Sequence, residues 1–337
     1  MQLVKQLMDQ ESSDSRSIIN HPRLRVGILG TGKIGVDLLI KVRRSNWLEC
    51  VLFSGRNLQS DGMRYAASLG VPVTDKGIEA FKDPKLKCDL VFDATSASAH
   101  KEHAPVLAAL GMVAIDMTPS QIGDACVPAL GMESLQGRRN ISMISCGGQS
   151  SIPLAHVLFQ QLEQVSEISV CSRVAPDSIG PATLVNIQEY YANTRAGLRK
   201  YTGDIPIKVE LLVDEKKRDT PMINTIRVAT STSVNRDQLI TELEKMVNRV
   251  QAYVPGYRLI SGPNVGNGFV ELVVQVEGAG DYLPRFAGNL DIINCAALAV
   301  AEDFARNQLR SLHLDATKSS INKETQEQIE PLQAVAQ

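Results

Sequence analysis

Apolar residues in the first 150 positions come in short runs separated by amphipathic stretches. Leu24 to Leu29 ("LRVGIL") is compact and mostly apolar, as a buried strand is, and it runs into Gly30-Thr31-Gly32-Lys33-Ile34-Gly35. Ile34, Leu38, Leu39 and Val42 then recur at helical spacing on one face. "LECVLFSG", "CDLVFDATS", "MVAIDMTP" and "NISMISCGGQ" read as further strands, with helices at "SDGMRYAASLG" and "HAPVLAALG". Strands alternating with helices predict an α/β fold with a doubly wound parallel sheet. After Pro153 the period becomes two. "SEISVCSRVA", "IPIKVELLVD", "MINTIRVATSTS" and "GFVELVVQVEG" predict a mostly antiparallel second sheet. Helices are expected within that region at "ATLVNIQEYYANTRAGLRKY" and "RDQLITELEKMVNRVQAY". The long helix in "GNLDIINCAALAVAEDFARNQL" has an apolar face that needs a large cover, so it is expected to pack back on the first unit.

The expected division is a dinucleotide-binding domain at 24–150 completed by the helix 288–310, and a second domain at 151–287. The polar ends, 1–23 and 313–337, read as flexible extensions. A length of 337 residues suits two domains, and 44% hydrophobic with 21% charged residues is the mix of an ordinary globular protein. A formal net charge of -2 gives no reason to expect nucleic acid or an anionic membrane as partner. No apolar run reaches membrane-spanning length, and the N-terminus lacks the apolar core of a secretory leader. The six cysteines (50, 88, 126, 146, 171 and 295) show neither metal-site spacing nor a disulfide framework. A reducing, cytoplasmic setting and no metal site are expected.

The glycine-rich turn lies between a strand and a helix, the context in which this motif binds a dinucleotide. Gly30 permits the tight turn, Gly32 lets backbone approach a pyrophosphate, and Gly35 allows close helix–strand packing. The helix N-terminus then faces the phosphates. A carboxylate is expected at the end of the second strand if NAD alone is bound, but the sequence there is "FSGRN". Ser54 and Arg56 either accommodate the 2′-phosphate of NADP, or Arg56 is a solvated loop residue; NAD and NADP both stay open.

Cys146 is read as ending a strand of this domain, followed by Gly147-Gly148-Gln149 and a helix. That places a thiol in the crevice outside the strand ends, where the helix N-terminus is expected to lower its pKa. A thiolate there can add to an aldehyde, and loss of hydride leaves a thioester. His100 and His103 at a helix start are expected to be solvent-facing or cap-related, with work as a base near the crevice the lesser alternative. His156 reads as a surface or satisfied core residue, Asp93 and Asp116 as loop caps, and the remaining cysteines as core.

"GTGKIG", "VFDATSASAH", "IDMTP", "SCGGQSSIP", "VQAYVPGYRL" and "VEGAGDYLPRFAGNLDI" resemble the acylating acetaldehyde dehydrogenases that partner 4-hydroxy-2-oxovalerate aldolases in the degradation of aromatic compounds. The resemblance spans about residues 25 to 310. It implies a Rossmann-type domain, an α/β dimerisation domain, a homodimer, and conversion of a short aldehyde with CoA and NAD to acyl-CoA. By motif it makes Cys146 the nucleophile and brings Thr31, Gly32, Lys33 and Ile34 to the cofactor. Ser178, Gly180, Pro181 and Asn289 would line the nicotinamide side. Three positions depart from the pattern. Asp177 stands where a lysine is usual, Leu184 where an arginine is usual, and Asn224 where a carboxylate is usual. Besides the CoA-acylating enzyme, two readings stay open: a reductase without covalent catalysis, and a non-catalytic partner subunit of an aldolase.

Overall fold

The computed structural model describes residues 22–179, 187–231 and 234–308. Gly180, Pro181 and Leu184 lie outside these described residues. The first sheet has seven parallel strands: β1 (Leu24–Leu29), β2 (Leu48–Ser54), β3 (Val73–Thr74), β4 (Leu90–Asp93), β5 (Val113–Asp116), β6 (Asp124–Ala125) and β7 (Asn140–Ser142). Their order is β3-β2-β1-β4-β5-β7-β6, so the winding reverses between β1 and β4. A crevice opens at such a reversal, outside the carboxyl ends of the strands. Helices α1 (Lys33–Arg44), α2 (Asp61–Ser68) and α3 (Ala97–Ala109) follow strands of this sheet. Val36, Leu38, Leu39 and Val42 of α1 bury their stripe against Val26, Ile28 and Phe53.

The second unit holds α4 (Cys146–Gln161), β8 (Val165–Val174), α5 (Ile187–Thr202), β9 (Ile207–Val213), β10 (Met222–Thr230), α6 (Arg236–Gln251), β11 (Tyr257–Gly266) and β12 (Phe269–Val276). Its strand order is β11-β12-β10-β8-β9, antiparallel except for the β8–β9 pair. The alternation of the sequence is visible directly: Ile168, Val170 and Val174 of β8 and Met222, Ile226 and Val228 of β10 face a core shared with α4 and α6. Two polar residues interrupt that inward row. Ser172 and Asn224 are both fully buried and sit opposite each other in register.

A last helix, α7 (288–308), joins the two units. Ile293, Ala296, Ala297, Val300 and Ala301 enter the core of the first sheet, while Ile292 and Cys295 belong to the second. Polar contacts fix α7 and the segment before it to α1. Lys41 is ion-paired with Asp37 at 2.8 Å, Asp281 at 2.9 Å and Asp291 at 2.7 Å. Burial works to lower the Lys41 pKa, but Asp291 and Asp37 outweigh it and hold the ammonium charged. Asn294 adds bonds to the Ile34 carbonyl at 3.2 Å and to Asp37 at 2.8 Å. The α1 helix that begins in the glycine-rich turn is thereby set against the segment carrying Asn289. Among the described residues no helix is long and apolar enough to cross a membrane.

Candidate active site

The glycine-rich turn occupies the crevice between β1 and β4. Gly30 adopts φ 112°, and a side chain there would meet the Ala94 carbonyl oxygen at 2.5 Å. Gly35 packs so closely that a Cβ would lie 2.0 Å from the Gly30 carbonyl oxygen. Gly32 is the contrary case. It is exposed, and a Cβ on it would have no atom within 4 Å. Open space beside this backbone, at the first turn of α1, is what a pyrophosphate needs. Thr31 and Ile34 are half-buried and Lys33 is exposed at the rim.

Arg56 is exposed just beyond the end of β2, and the preceding Gly55 touches Thr31. Ser54 is not free to join Arg56, because it is buried and its hydroxyl donates to the Gly77 carbonyl at 2.8 Å. Of the two residues expected near a 2′-phosphate, only Arg56 is available.

Across the crevice the structure brings two other expected residues together. Asn289 Nδ2 donates to the Ser178 carbonyl at 2.8 Å, and the Ser178 hydroxyl donates to the Ala175 carbonyl at 2.8 Å. Both residues are buried, and Asn289 Oδ1 has no partner. A buried orphan acceptor held by its own amide is suited to receive a carboxamide N–H. Asp177, beside this pair, does not present a lone anion: its carboxylate is engaged by Arg218, whose Nε lies at 3.1 Å. That ion pair holds the Asp177 carboxyl below its usual range, with Lys33 adding to the effect.

Cys146 differs from the sequence expectation in two ways. It does not end a strand: β7 stops at Ser142, and Cys146 is the first residue of α4. Ser145 is the N-cap, accepting from Gly148 N at 2.9 Å. Nor is the thiol lowered. Burial pushes it up to about 11, although the N–H groups of Gly147 and Cys146 and the Tyr190 hydroxyl act in the opposite direction. Desolvation of the charged form outweighs the helix N-terminus here. The side chain is half-buried and packs against both cores, at the seam between the two units.

The turn that carries it is strained and held from outside. Ile144 adopts φ 61°, a conformation that β-branched residues rarely take. Its carbonyl accepts from Asn193 Nδ2, and its N–H donates to Ser142 Oγ at 3.2 Å. Ser145 Oγ lies 2.7 Å from Thr194 Oγ1. Gln149 Nε2 pins the helix start to the carbonyls of Cys126 at 2.7 Å and Met143 at 2.9 Å. Gly147 has no room for a side chain, since a Cβ would fall 2.1 Å from Tyr190 Oη. Tyr190, Asn193, Thr194 and Gly197 all come from α5 at helical spacing, and none of the four was singled out from the sequence. The available signal was the recurrence of Tyr190, Asn193, Thr194 and Gly197 at helical spacing on one face of the expected helix.

His100 and His103 are also placed differently from expectation. His100 is fully buried, and both rings share Asp93 Oδ2, with Nδ1 at 2.9 Å and 2.8 Å respectively. His100 Nε2 meets Asn140 at 3.2 Å, and Asp116 Oδ2 lies 3.7 Å away. A buried carboxylate at the end of β4 draws the rings inward, and Ser96 serves as the α3 cap instead. Burial works against ionisation of Asp93, but its bonds to His100, His103 and Thr95 hold it down to about 2. Asp93 and Asp116 do act as caps, toward Thr95 N at 3.1 Å and Thr118 N at 2.8 Å. His156 is satisfied by the Tyr201 carbonyl at 2.7 Å. Asn224 is buried with its Oδ1 accepting from Ser172 at 2.5 Å.

Known proteins with this architecture and sequence form a consistent group. A family model described as semialdehyde dehydrogenase, NAD binding domain, matches residues 25–127. Another, described as prokaryotic acetaldehyde dehydrogenase, dimerisation, matches residues 146–284. An acetaldehyde dehydrogenase of Spirochaeta aurantia is 46% identical over 283 residues, covering 84% of this chain and 95% of the relative. One of Pectobacterium atrosepticum is 45% identical, covering 83% and 95%. The fold is shared with aspartate semialdehyde dehydrogenase II of Vibrio cholerae, at TM-score 0.56 and 15% identity over 85% of this chain and 99% of that one. It is also shared with the Candida albicans aspartate semialdehyde dehydrogenase, at TM-score 0.58 and 11% identity over 83% and 99%. With two relatives above 40% identity along nearly their whole length, and a dimerisation model that begins at Cys146 itself, this chain belongs to the acetaldehyde dehydrogenase family.

Proposed function

We propose that this protein is a CoA-acylating aldehyde dehydrogenase acting on acetaldehyde or a similarly short aldehyde, with Cys146 as the acyl-carrying nucleophile. The observation that carries the reading is the place of Cys146: first residue of α4, at the seam of the two cores, with the N–H groups of Cys146 and Gly147 acting on its sulfur. Addition of the sulfur to the aldehyde carbon moves the carbonyl π pair onto oxygen, where helix N-terminal N–H groups offset the developing charge. Attack by the CoA thiol on the resulting thioester releases acyl-CoA and restores the cysteine.

Gly30, Thr31, Gly32, Lys33, Ile34 and Gly35 would hold the pyrophosphate of NAD or NADP, and Arg56 would face the ribose. Asn289, held by Ser178, would take the carboxamide through its unpaired Oδ1. A bound nicotinamide supplies the acceptor for the hydride released when the hemithioacetal becomes a thioester. Asp177, already paired with Arg218, would meet the cofactor only at the rim. Gly180 and Pro181 complete this side by motif.

We take the expected 24–150 with 288–310 as the cofactor unit and 151–287 as the substrate and dimerisation unit, with the boundary drawn back to the start of α4, a helix that a cut at 150 would divide. The core shared by α7 and the first sheet supports the division. A homodimer through the second sheet is supported by exposed Leu212, Ile260 and Val265 on its strands. The compartment consistent with six free cysteines is the cytoplasm. A 4-hydroxy-2-oxovalerate aldolase is the partner that the sequence motifs suggest, and co-purification tests it.

The direct test is NAD(P)H formation from acetaldehyde, with and without CoA. Absorbance that requires both aldehyde and CoA supports the reading. Formation independent of CoA selects the non-covalent reductase. Cofactor binding with no turnover selects the partner-subunit reading, which the amide at Asn224 favours.

A further inference from the structure

We propose that Tyr190 is a catalytic residue of this site, whose hydroxyl bonds the Cys146 sulfur and stabilises its thiolate, while Ser172, oriented by Asn224, competes for the same proton. The proposal presumes Cys146 as the nucleophile and adds the group that governs when its sulfur ionises.

Tyr190 Oη donates to Ser172 Oγ at 3.2 Å, and Ser172 Oγ donates to Asn224 Oδ1 at 2.5 Å. The chain of hydroxyls begins over Gly147, the residue next to Cys146, and ends on an amide. Its members are buried, and Asn224 Nδ2 has no partner at all. Ser172 and Asn224 face inward between Val170, Val174, Met222 and Ile226, where an apolar pair would pack without desolvation cost. Gly147 closes the arrangement. A Cβ there would lie 2.1 Å from Tyr190 Oη and 2.8 Å from Ser172 Oγ, so only glycine lets both hydroxyls reach the cysteine turn.

A phenol carries one proton and can also accept. With the thiol protonated, S–H donates to Tyr190 Oη, and the phenolic proton rests on Ser172. When the S–H bond breaks, its electron pair stays on sulfur, the proton leaves to water, and the phenolic O–H turns to the thiolate. Tyr190 is itself held well above 10, by burial first and by Cys146 second, and Tyr191, Thr194 and Ser172 also act on it. It therefore lends a hydrogen bond and not a charge. Asn224 cannot take the proton either, because an amide is no base at neutral pH. What acts on the sulfur is burial, two backbone N–H groups and Tyr190. Removing the one side-chain donor leaves burial less opposed.

The test is alkylation of Cys146 by iodoacetamide between about pH 7 and 9, read by mass spectrometry on the peptide containing it, in the full chain without aldehyde. Tyr190→Phe is expected to slow the reaction about 3- to 10-fold, since one lost unit of thiol acidity is a tenfold loss of thiolate, partly offset by greater nucleophilicity. Ser172→Ala, which removes the competing acceptor and leaves the phenol, is expected to speed it. A purely structural role predicts that both variants loosen the site and speed alkylation. An unchanged or faster rate in Tyr190→Phe overturns the proposal. If that variant does not fold, the pH profile of Ser172→Ala decides: a midpoint of alkylation moved to lower pH with no rise in the high-pH rate supports the proposal, and a rate raised equally at every pH, or an unmoved midpoint, overturns it. Alkylation requires no dehydrogenase turnover, so this result and the function assay can fail separately.

Discussion

The turn after β1 and the turn after β7 both lead a parallel strand into a helix, yet they are held together differently. The Gly30–Gly35 turn is made of backbone. Its glycines pack against neighbouring carbonyls or face open space, and few side chains intervene. The Ile144–Gln149 turn is a meeting point of side chains: Asn193 and Thr194 from α5, Ser142 from the end of β7, Ser145 from the turn itself, and Tyr190 over Gly147. A loop that receives phosphate needs free N–H groups and space. A loop that presents one reacting atom needs that atom fixed, and here an outside helix fixes it.

The largest break between the two regions comes from removing the reacting atom. Cys146→Ser should lower CoA-dependent aldehyde oxidation by at least about 10³-fold, the scale at which loss of a covalent nucleophile acts. Dinucleotide binding, measured by fluorescence titration, should stay unchanged, because the Gly30–Gly35 turn lies on another strand. Equal loss of binding would contradict the separation of the two sites.

The same substitution at one glycine of each turn sharpens the contrast. Gly147→Ala must displace Tyr190, whose Oη a Cβ would approach to 2.1 Å, so thermal unfolding should show a loss of about 1–3 kcal/mol together with lost activity. Gly32→Ala meets no atom within 4 Å and keeps an ordinary extended φ of -76°. Its melting temperature should match the parent, while dinucleotide affinity falls by about tenfold, roughly the loss of one phosphate hydrogen bond. Stability lost at Gly32 and kept at Gly147 would reverse the account.

The glycine-rich turn was legible in the sequence because its signal is local: three glycines at fixed spacing between an apolar strand and an apolar helix face. The parallel and antiparallel sheets were legible for the same reason, through period and run length. The cysteine turn was only half legible. "SCGGQ" marks the thiol, but the strain at Ile144 and the clamps from Asn193 and Thr194 join residues about fifty positions apart. Burial at the seam of two cores, which raises the thiol, depends on residues of both units and not on the flanks of Cys146 alone. His100 shows the same limit. Its burial follows from Asp93, seven residues earlier, whose carboxylate draws two rings inward where the helix start alone suggested solvent.

The smallest expected effect lies at the rim of the first turn. Arg56→Asp should shift the NADP to NAD affinity ratio toward NAD by about tenfold, since it exchanges a charge-assisted phosphate contact for repulsion. Ser54, committed to the Gly77 carbonyl, should not contribute, and Ser54→Ala should leave the ratio alone. A ratio unmoved by Arg56→Asp would mean that Arg56 is only solvated.

The central claim is that Cys146 carries the acyl group, and acyl transfer to the protein measures it directly. Incubation of the full chain with acetyl-CoA, acid quench and peptide mass spectrometry should find an acetyl adduct, labile to hydroxylamine, on Cys146 and on none of the other five cysteines. The Cys146→Ser protein should carry no such adduct. An adduct on another cysteine, or none on a protein that still forms NADH from acetaldehyde and CoA, would contradict the account.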